Sequence, residues 1–302
     1  MKFGQCDVPE LVDFTLRPYN EDDTAILNAK AHKGPLKLYT GSTSWINKEW
    51  KGSIYPQRFK AADSLDYYGK QFNAIELNTT HYRIPTDELV KKWISKVPSD
   101  FKFCPKAPQS ISHRKDLGLN SGAFHEFMNI LPFFAGHLGC TFIQCPTYFN
   151  ATHLPLIEQL ITNLSEPFSF AIELRDESFY SKSLSQTIKE HLINKKVSWV
   201  VTDTAGRRDI VHNHITSDFL FVRFVACGVI EIDQKRLDEW INRILLLREK
   251  GMGSIYFFFH DPDHYTRAEM AIYLHRQLID QKDIQFRGPN LNQYNGQQTK
   301  LF

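Results

Sequence analysis

Eleven polar or charged side chains stand where this chain could do chemistry. Nine sit at or just past the ends of apolar runs: Glu76, Asn78, Lys106, Gln144, Glu173, Arg175, Asp203, Arg223 and His260. His81 and His113 follow in loops. Three readings of this set are open. In the first, Glu76, Glu173, Asp203 and His260, with His81, offer oxygen and imidazole donors suited to Zn, Mn or Mg. No H-x-H or H-E-x-x-H spacing accompanies them. In the second, Lys106, Arg175 and Arg223 hold a phosphate or carboxylate. Glu76, Glu173 and Asp203 are then the candidate catalytic carboxylates, with Glu76 or Glu173 as general base or acid. Asn78, Gln144 and His113 would contact the substrate, and Trp45 and Tyr82 would wall it. In the third, the charges form a closed structural network, for example Glu173 with Arg175 or Glu76 with Lys106, because inward charge is costly unless paired.

The elements that must position these groups follow from periodicity. The stretch N-A-I-E-L-N-T-T-H-Y-R (73–83) starts as a strand, Ile75 and Leu77 alternating with Glu76 and Asn78. Pro85 then opens an amphipathic run over 86–96, with Leu89, Val90, Trp93 and Ile94 at helical spacing. The pattern repeats. Strands are expected at 36–40, 101–107, 140–145, 168–175, 197–203, 219–225 and 254–260, separated by helices at 63–70, 123–136, 153–163, 183–195, 233–250 and 265–278. The clearest alternation is F-S-F-A-I-E-L-R (168–175), which puts Glu173 and Arg175 on one face. Eight strands alternating with helices predict a TIM (β/α)8 barrel, whose sites gather at the C-terminal strand ends. A doubly wound open sheet is the alternative. No G-x-G-x-x-G, Walker loop or G-x-S-x-G elbow is present.

Of the 302 residues 42% are hydrophobic and 23% charged, enough for a large core. The net charge of +2 neither requires nor excludes nucleic acid. Five scattered cysteines without C-x-x-C, no apolar leader and no membrane-length run predict reduced thiols in a cytoplasmic protein without a membrane partner. Residues 1–35 read as an extension with one short helix at 22–33, 36–281 as the barrel domain, and 282–302 as a polar, flexible tail.

Ordered blocks across 36–278 resemble the "domain of unknown function 72", or YecE-like, family. They are G-S-T-S-W (41–45), W-K-G-S-I-Y-P (50–56), F-N-A-I-E-L-N-T-T-H-Y-R-I-P (72–85), F-K-F-C-P-K-A-P (101–108), I-S-H (111–113), F-I-Q-C-P (142–146), A-I-E-L-R (171–175), V-T-D-T (201–204) and the strand around Arg223. The resemblance implies a TIM barrel and no particular activity. Many members carry F-N-N at the last strand, where this chain has Phe259-His260-Asp261, so a role for that asparagine pair does not carry over.

The expected function is that of a hydrolase or lyase acting on a phosphate-bearing substrate, a small anion or damaged nucleic acid. The alternative is a non-catalytic binding protein recruited to a DNA-processing complex. The tail ends Gln298-Thr299-Lys300-Leu301-Phe302. Its Q-x-x-L-F spacing resembles the peptide that docks on the bacterial sliding clamp, with Gln298, Leu301 and Phe302 as anchors and Thr299 departing from the leucine common there.

Overall fold

The computed structural model describes residues 4–29, 32–58, 60–164, 167–260 and 267–289. Its strands are β1 (Leu36–Gly41), β2 (Ala74–Leu77), β3 (Lys102–Pro105), β4 (Thr141–Gln144), β5 (Phe170–Glu173), β6 (Ser198–Trp199), β7 (Val201–Asp203), β8 (Phe219–Val225), β9 (Ser254–His260) and β10 (Ile284–Gln285). Every ladder is parallel. The architecture is therefore α/β with helices between strands.

The ladders form three sheets rather than one closed ladder: β10-β1-β9-β8-β7, β2-β3 and β4-β5-β6. Side chains and single backbone bonds bridge the seams. Between β1 and β2, Thr40 donates its N–H to Asn73 Oδ1 (2.7 Å), Asn73 Nδ2 donates to the Leu38 carbonyl (2.9 Å), and Tyr68 Oη donates to the Ala74 carbonyl (2.9 Å). Gly41 makes this approach possible, since a Cβ there would lie 2.0 Å from the Ala74 oxygen. Between β3 and β4, Gly139 N–H donates to Phe103 (2.7 Å) and Ala107 N–H to Phe142 (2.8 Å). The expected sixth strand is broken into β6 and β7 at Val200, whose N–H donates to Ile172 (2.9 Å).

Two hydrophobic clusters divide the buried residues. The larger lies between strands and helices. The smaller gathers Tyr39, Ala74, Cys104, Cys140, Phe142, Ala171, Val200, Phe219, Phe221, Tyr256 and Phe258, the opposite face of the same strands. Cys140 and Cys145 fall in different clusters, as period-2 alternation requires. All five cysteines are free thiols.

Helices follow their expected stripes. Thr86 caps Asp87–Ile94, accepting from the Leu89 N–H at 3.3 Å. The long helix Ile230–Glu249 buries Leu237, Trp240, Ile241, Ile244 and Leu247. No helix among the described residues is long and apolar enough to cross a membrane. One expectation needs correction. The chain does not turn structureless at 282, because Ile284–Gln285 pairs with Leu36–Lys37 as β10. Arg287 then grips Asp100 at 2.8 Å. The tail residues Gln298, Leu301 and Phe302 lie outside the described residues.

Candidate anion site at the strand ends

The inward face of the strands is fixed by register. In parallel pairs, residues side by side point the same way. Glu76 pairs with Cys104, Gln144 with Glu173, Thr202 with Arg223, and Arg223 with Phe258. Cys104 and Phe258 belong to the smaller cluster, so Glu76, Gln144, Glu173, Thr202 and Arg223 share its face. A polar layer thus caps an apolar interior.

Arg223 is the centre of that layer. Its Nε and Nη2 donate to Glu76 Oε2 and Oε1 at 3.0 and 3.1 Å, and Nη1 donates to Glu173 Oε2 at 2.7 Å. One guanidinium therefore neutralises two carboxylates through three nitrogens. Glu173 also accepts from Arg175 Nε (2.7 Å) and Gln144 Nε2 (2.7 Å). Glu76 also accepts from Asn78 Nδ2 (3.1 Å) and lies 2.8 Å from His260 Nε2. Lys106 Nζ donates to Gln144 Oε1 at 2.8 Å. The chain of contacts runs Lys106, Gln144, Glu173, Arg223, Glu76, His260.

Burial alone would raise both carboxyl pKa values. Arg223 and then His260 override it at Glu76, holding it well below the usual range. Arg175 and Arg223 override it at Glu173, which falls to about 2. Both are ionised at neutral pH. Lys106 is only 9% exposed. Its burial and then Arg223 bring its ammonium down to about 8, although Glu76 and Glu173 oppose them.

Two histidines stand beside Lys106. His81 lies on the short helix Thr79–Tyr82, its Nδ1 2.8 Å from the Ala107 carbonyl. A carbonyl only accepts, so Nδ1 carries the hydrogen and Nε2 the lone pair. Burial first, then Lys106, His113 and Arg175 lower His81 to about 4, against the Ala107 hydrogen bond, so the ring is neutral. His113 packs on it with ring centroids 5.2 Å apart, and its Nδ1 lies 2.9 Å from Ser112 Oγ. Its pKa is lowered too, by burial and then by Lys106 and Arg175. Tyr82 stacks edge-on to His81 at 5.4 Å and is 78% exposed. Tyr148, which the sequence reading did not single out, donates its hydroxyl to the His113 carbonyl at 2.8 Å.

Not every expected residue joins. Asp203 faces the other way. It is held by Arg236 (3.0 Å), Trp240 Nε1 (2.8 Å) and Arg208, outside the polar layer. The inward residue of β7 is Thr202, whose buried Oγ1 has no hydrogen-bond partner among the described residues. Trp45 packs half-buried against Trp93, ring centroids 5.8 Å apart, and Trp50 and Tyr55 are core residues. The metal set Glu76, Glu173, Asp203 and His260 does not converge. Glu76 and Glu173 are engaged by Arg223, Asp203 lies on the opposite face, and among the described residues no three His, Cys, Asp or Glu could hold a Zn, Mn or Mg ion together. The donor set does not fit a metal. The expected Glu173–Arg175 pair is present, and the rest of the network runs through Arg223 instead of a Glu76–Lys106 pair.

With this geometry in hand, comparison with known proteins places the chain. UPF0759 protein YecE of Escherichia coli O157:H7 is 26% identical over 253 residues, covering 78% of this chain and 90% of that protein. UPF0759 protein YunF of Bacillus subtilis is 25% identical over 288 residues, covering 83% and 96%. A DUF72 family crystal structure from Thermotoga maritima MSB8 superposes with TM-score 0.65 at 23% identity, covering 81% of this chain and 100% of that one. One from Enterococcus faecalis V583 gives TM-score 0.65 at 17% identity, covering 84% and 98%. These likenesses show the fold. The model of the protein family of unknown function DUF72 matches residues 39–293, so the polar layer lies within the matched region, and the chain belongs to that family.

Proposed function

We propose that the protein is an enzyme, a hydrolase or lyase, that binds a phosphate-bearing substrate at the C-terminal strand ends of a closed (β/α)8 barrel. Closure is supported by the smaller cluster, which draws side chains from every part of the strand set and meets at one interior. The anion reading rests on one observation. Among the described residues three cations, Lys106, Arg175 and Arg223, share a buried layer with two carboxylates, Glu76 and Glu173, a surplus of one positive charge. Arg223 and Arg175 take up both carboxylates, and among the described residues Lys106 meets only the Gln144 amide, so the surplus sits at Lys106. A buried surplus charge is costly without a counter-ion, and a phosphate supplies one.

The carboxylates serve as electrostatic supports in this reading. A group with a pKa near 2 accepts protons poorly at neutral pH. Proton transfer falls to Lys106 and to the lone pairs of neutral His81 and His113. Exposed Tyr82 and Tyr148 flank these groups and are suited to stacking on a base, which keeps damaged nucleic acid among the candidate substrates.

The test is a turnover screen of phosphate monoesters, phosphodiesters and abasic-site DNA, run beside phosphate titration. The expected result is turnover of one class, lost at least a hundredfold in Lys106→Gln. Phosphate binding without turnover would favour the non-catalytic alternative. Neither binding nor turnover would remove the anion reading.

A further inference from the structure

We infer that Lys106 is a nucleophile that forms an imine with an aldehyde or ketone carried on a phosphate-bearing substrate. This deepens the anion reading and rests on it for the phosphate. Two carboxylates lie in the same buried layer, and both are claimed by arginines. Among the described residues the lysine is left with a neutral amide, Gln144 Oε1, at 2.8 Å. A buried lysine serving only the fold is ordinarily paired with a carboxylate. An unpaired one beside other cations is how an amine is kept nucleophilic. Its pKa near 8 follows from that placement and leaves part of the population neutral at physiological pH.

Gln144 also orients the amine. Its Nε2 is committed to Glu173 Oε2, so only Oε1 can meet Lys106. The neutral amine donates one hydrogen there and keeps its lone pair and second hydrogen for the substrate. The chemistry balances. The Nζ lone pair forms a bond to the carbonyl carbon, and the carbonyl π pair moves to oxygen. One proton passes from nitrogen to that oxygen, giving a carbinolamine. A second proton, drawn from solvent, joins the same oxygen, which leaves as water while the nitrogen lone pair forms C=N⁺. The neutral His81 and His113, adjacent to Lys106 through Ala107 and through their own ring contact, are placed to carry these protons. The iminium retains the positive charge at Nζ, so attraction for the phosphate survives bond formation.

The experiment uses the full chain at pH 8 with glyceraldehyde 3-phosphate as probe and sodium cyanoborohydride to trap any imine. Peptide mass spectrometry then locates the adducts, with and without inorganic phosphate as competitor. Phosphate binding is measured separately by calorimetry. The expected result is modification of Lys106 at least tenfold faster than any other lysine, slowed by phosphate. In Lys106→Arg, that peptide is unmodified while phosphate still binds. Adducts spread over other lysines with Lys106 unmodified would overturn the inference. If phosphate binds in that case, the anion reading survives alone. Rapid modification of Lys106 that phosphate does not slow would uphold the amine and overturn the anion reading.

Discussion

Arg223 engages two buried carboxylates with three of its nitrogens. Replacing it by Leu removes the cation the two carboxylates share, leaving Glu76 to His260 and Asn78 and Glu173 to Arg175 and Gln144, at a cost of about 3–5 kcal/mol. Chemical denaturation of Arg223→Leu should show that loss, and adding Glu76→Gln and Glu173→Gln should restore part of it. Glu173 gives an acid-side signature. Its folded pKa of about 2 lies below the ordinary 4.5. Its contribution is therefore complete above the unfolded value and is lost as pH falls from roughly 4.5 toward 2. Glu173→Gln should flatten the acid limb of the stability profile in that window. Lys106 gives the opposite, alkaline signature. Its folded pKa is depressed from 10.5 to about 8, so the unfolded chain binds the extra proton between those values and stability rises with pH there. Relative to Lys106→Met, the wild type should gain about 2–3 kcal/mol between pH 7 and pH 10.5, read from denaturant midpoints. Parallel profiles for the two proteins would contradict the assignment.

At the scale of elements, strand parity decides which residues reach the site. Alternation alone places Glu76, Lys106, Gln144, Glu173 and Arg223 on the correct face, because their strands are regular. It fails at the sixth strand. Residues 197–203 read V-S-W-V-V-T-D, and the consecutive apolar Trp199, Val200 and Val201 blur any alternation, while the break at Val200 carries no signal of its own. Asp203, which the sequence offers as a rim carboxylate, therefore points to Arg236 and Trp240, while Thr202 faces inward. The short helix Thr79–Tyr82 was equally illegible. Four polar residues have no period, and it is a tertiary contact, His81 with the Ala107 carbonyl, that anchors it. Strand β10 is two residues held by pairing with β1 alone. One consequence can be measured. Asp203→Asn removes a buried charge opposite Arg236 and should lower stability by about 1–3 kcal/mol. It should leave phosphate affinity unchanged, since Asp203 lies outside the polar layer. A thermal melt and a phosphate titration on the same variant separate the two effects.

For the whole molecule, family membership and an α/β fold with parallel strands frame the site, and in the proposed reading the surplus positive charge is what would recruit an anion. Docking of the terminal Gln298, Leu301 and Phe302 on a partner is a proposal from their spacing alone. If they dock on a sliding clamp, the tether would raise the effective concentration of the site near DNA without new contacts. Calorimetric titration of the cognate clamp should then show binding by the full chain and none by Leu301→Ala/Phe302→Ala. Equal binding by both would dismiss the link. The central claim, that Lys106 and Arg175 hold an anion over the Arg223 layer, is tested most directly by sulfate, whose own charge is constant from pH 7 to 10. Titrating the full chain and Lys106→Gln with sulfate at several pH values should give saturable binding at pH 7 that weakens about tenfold as the Lys106 ammonium is lost above about 8. The variant should bind weakly at every pH. No binding at pH 7, or equal and pH-independent affinity in both proteins, would contradict the account.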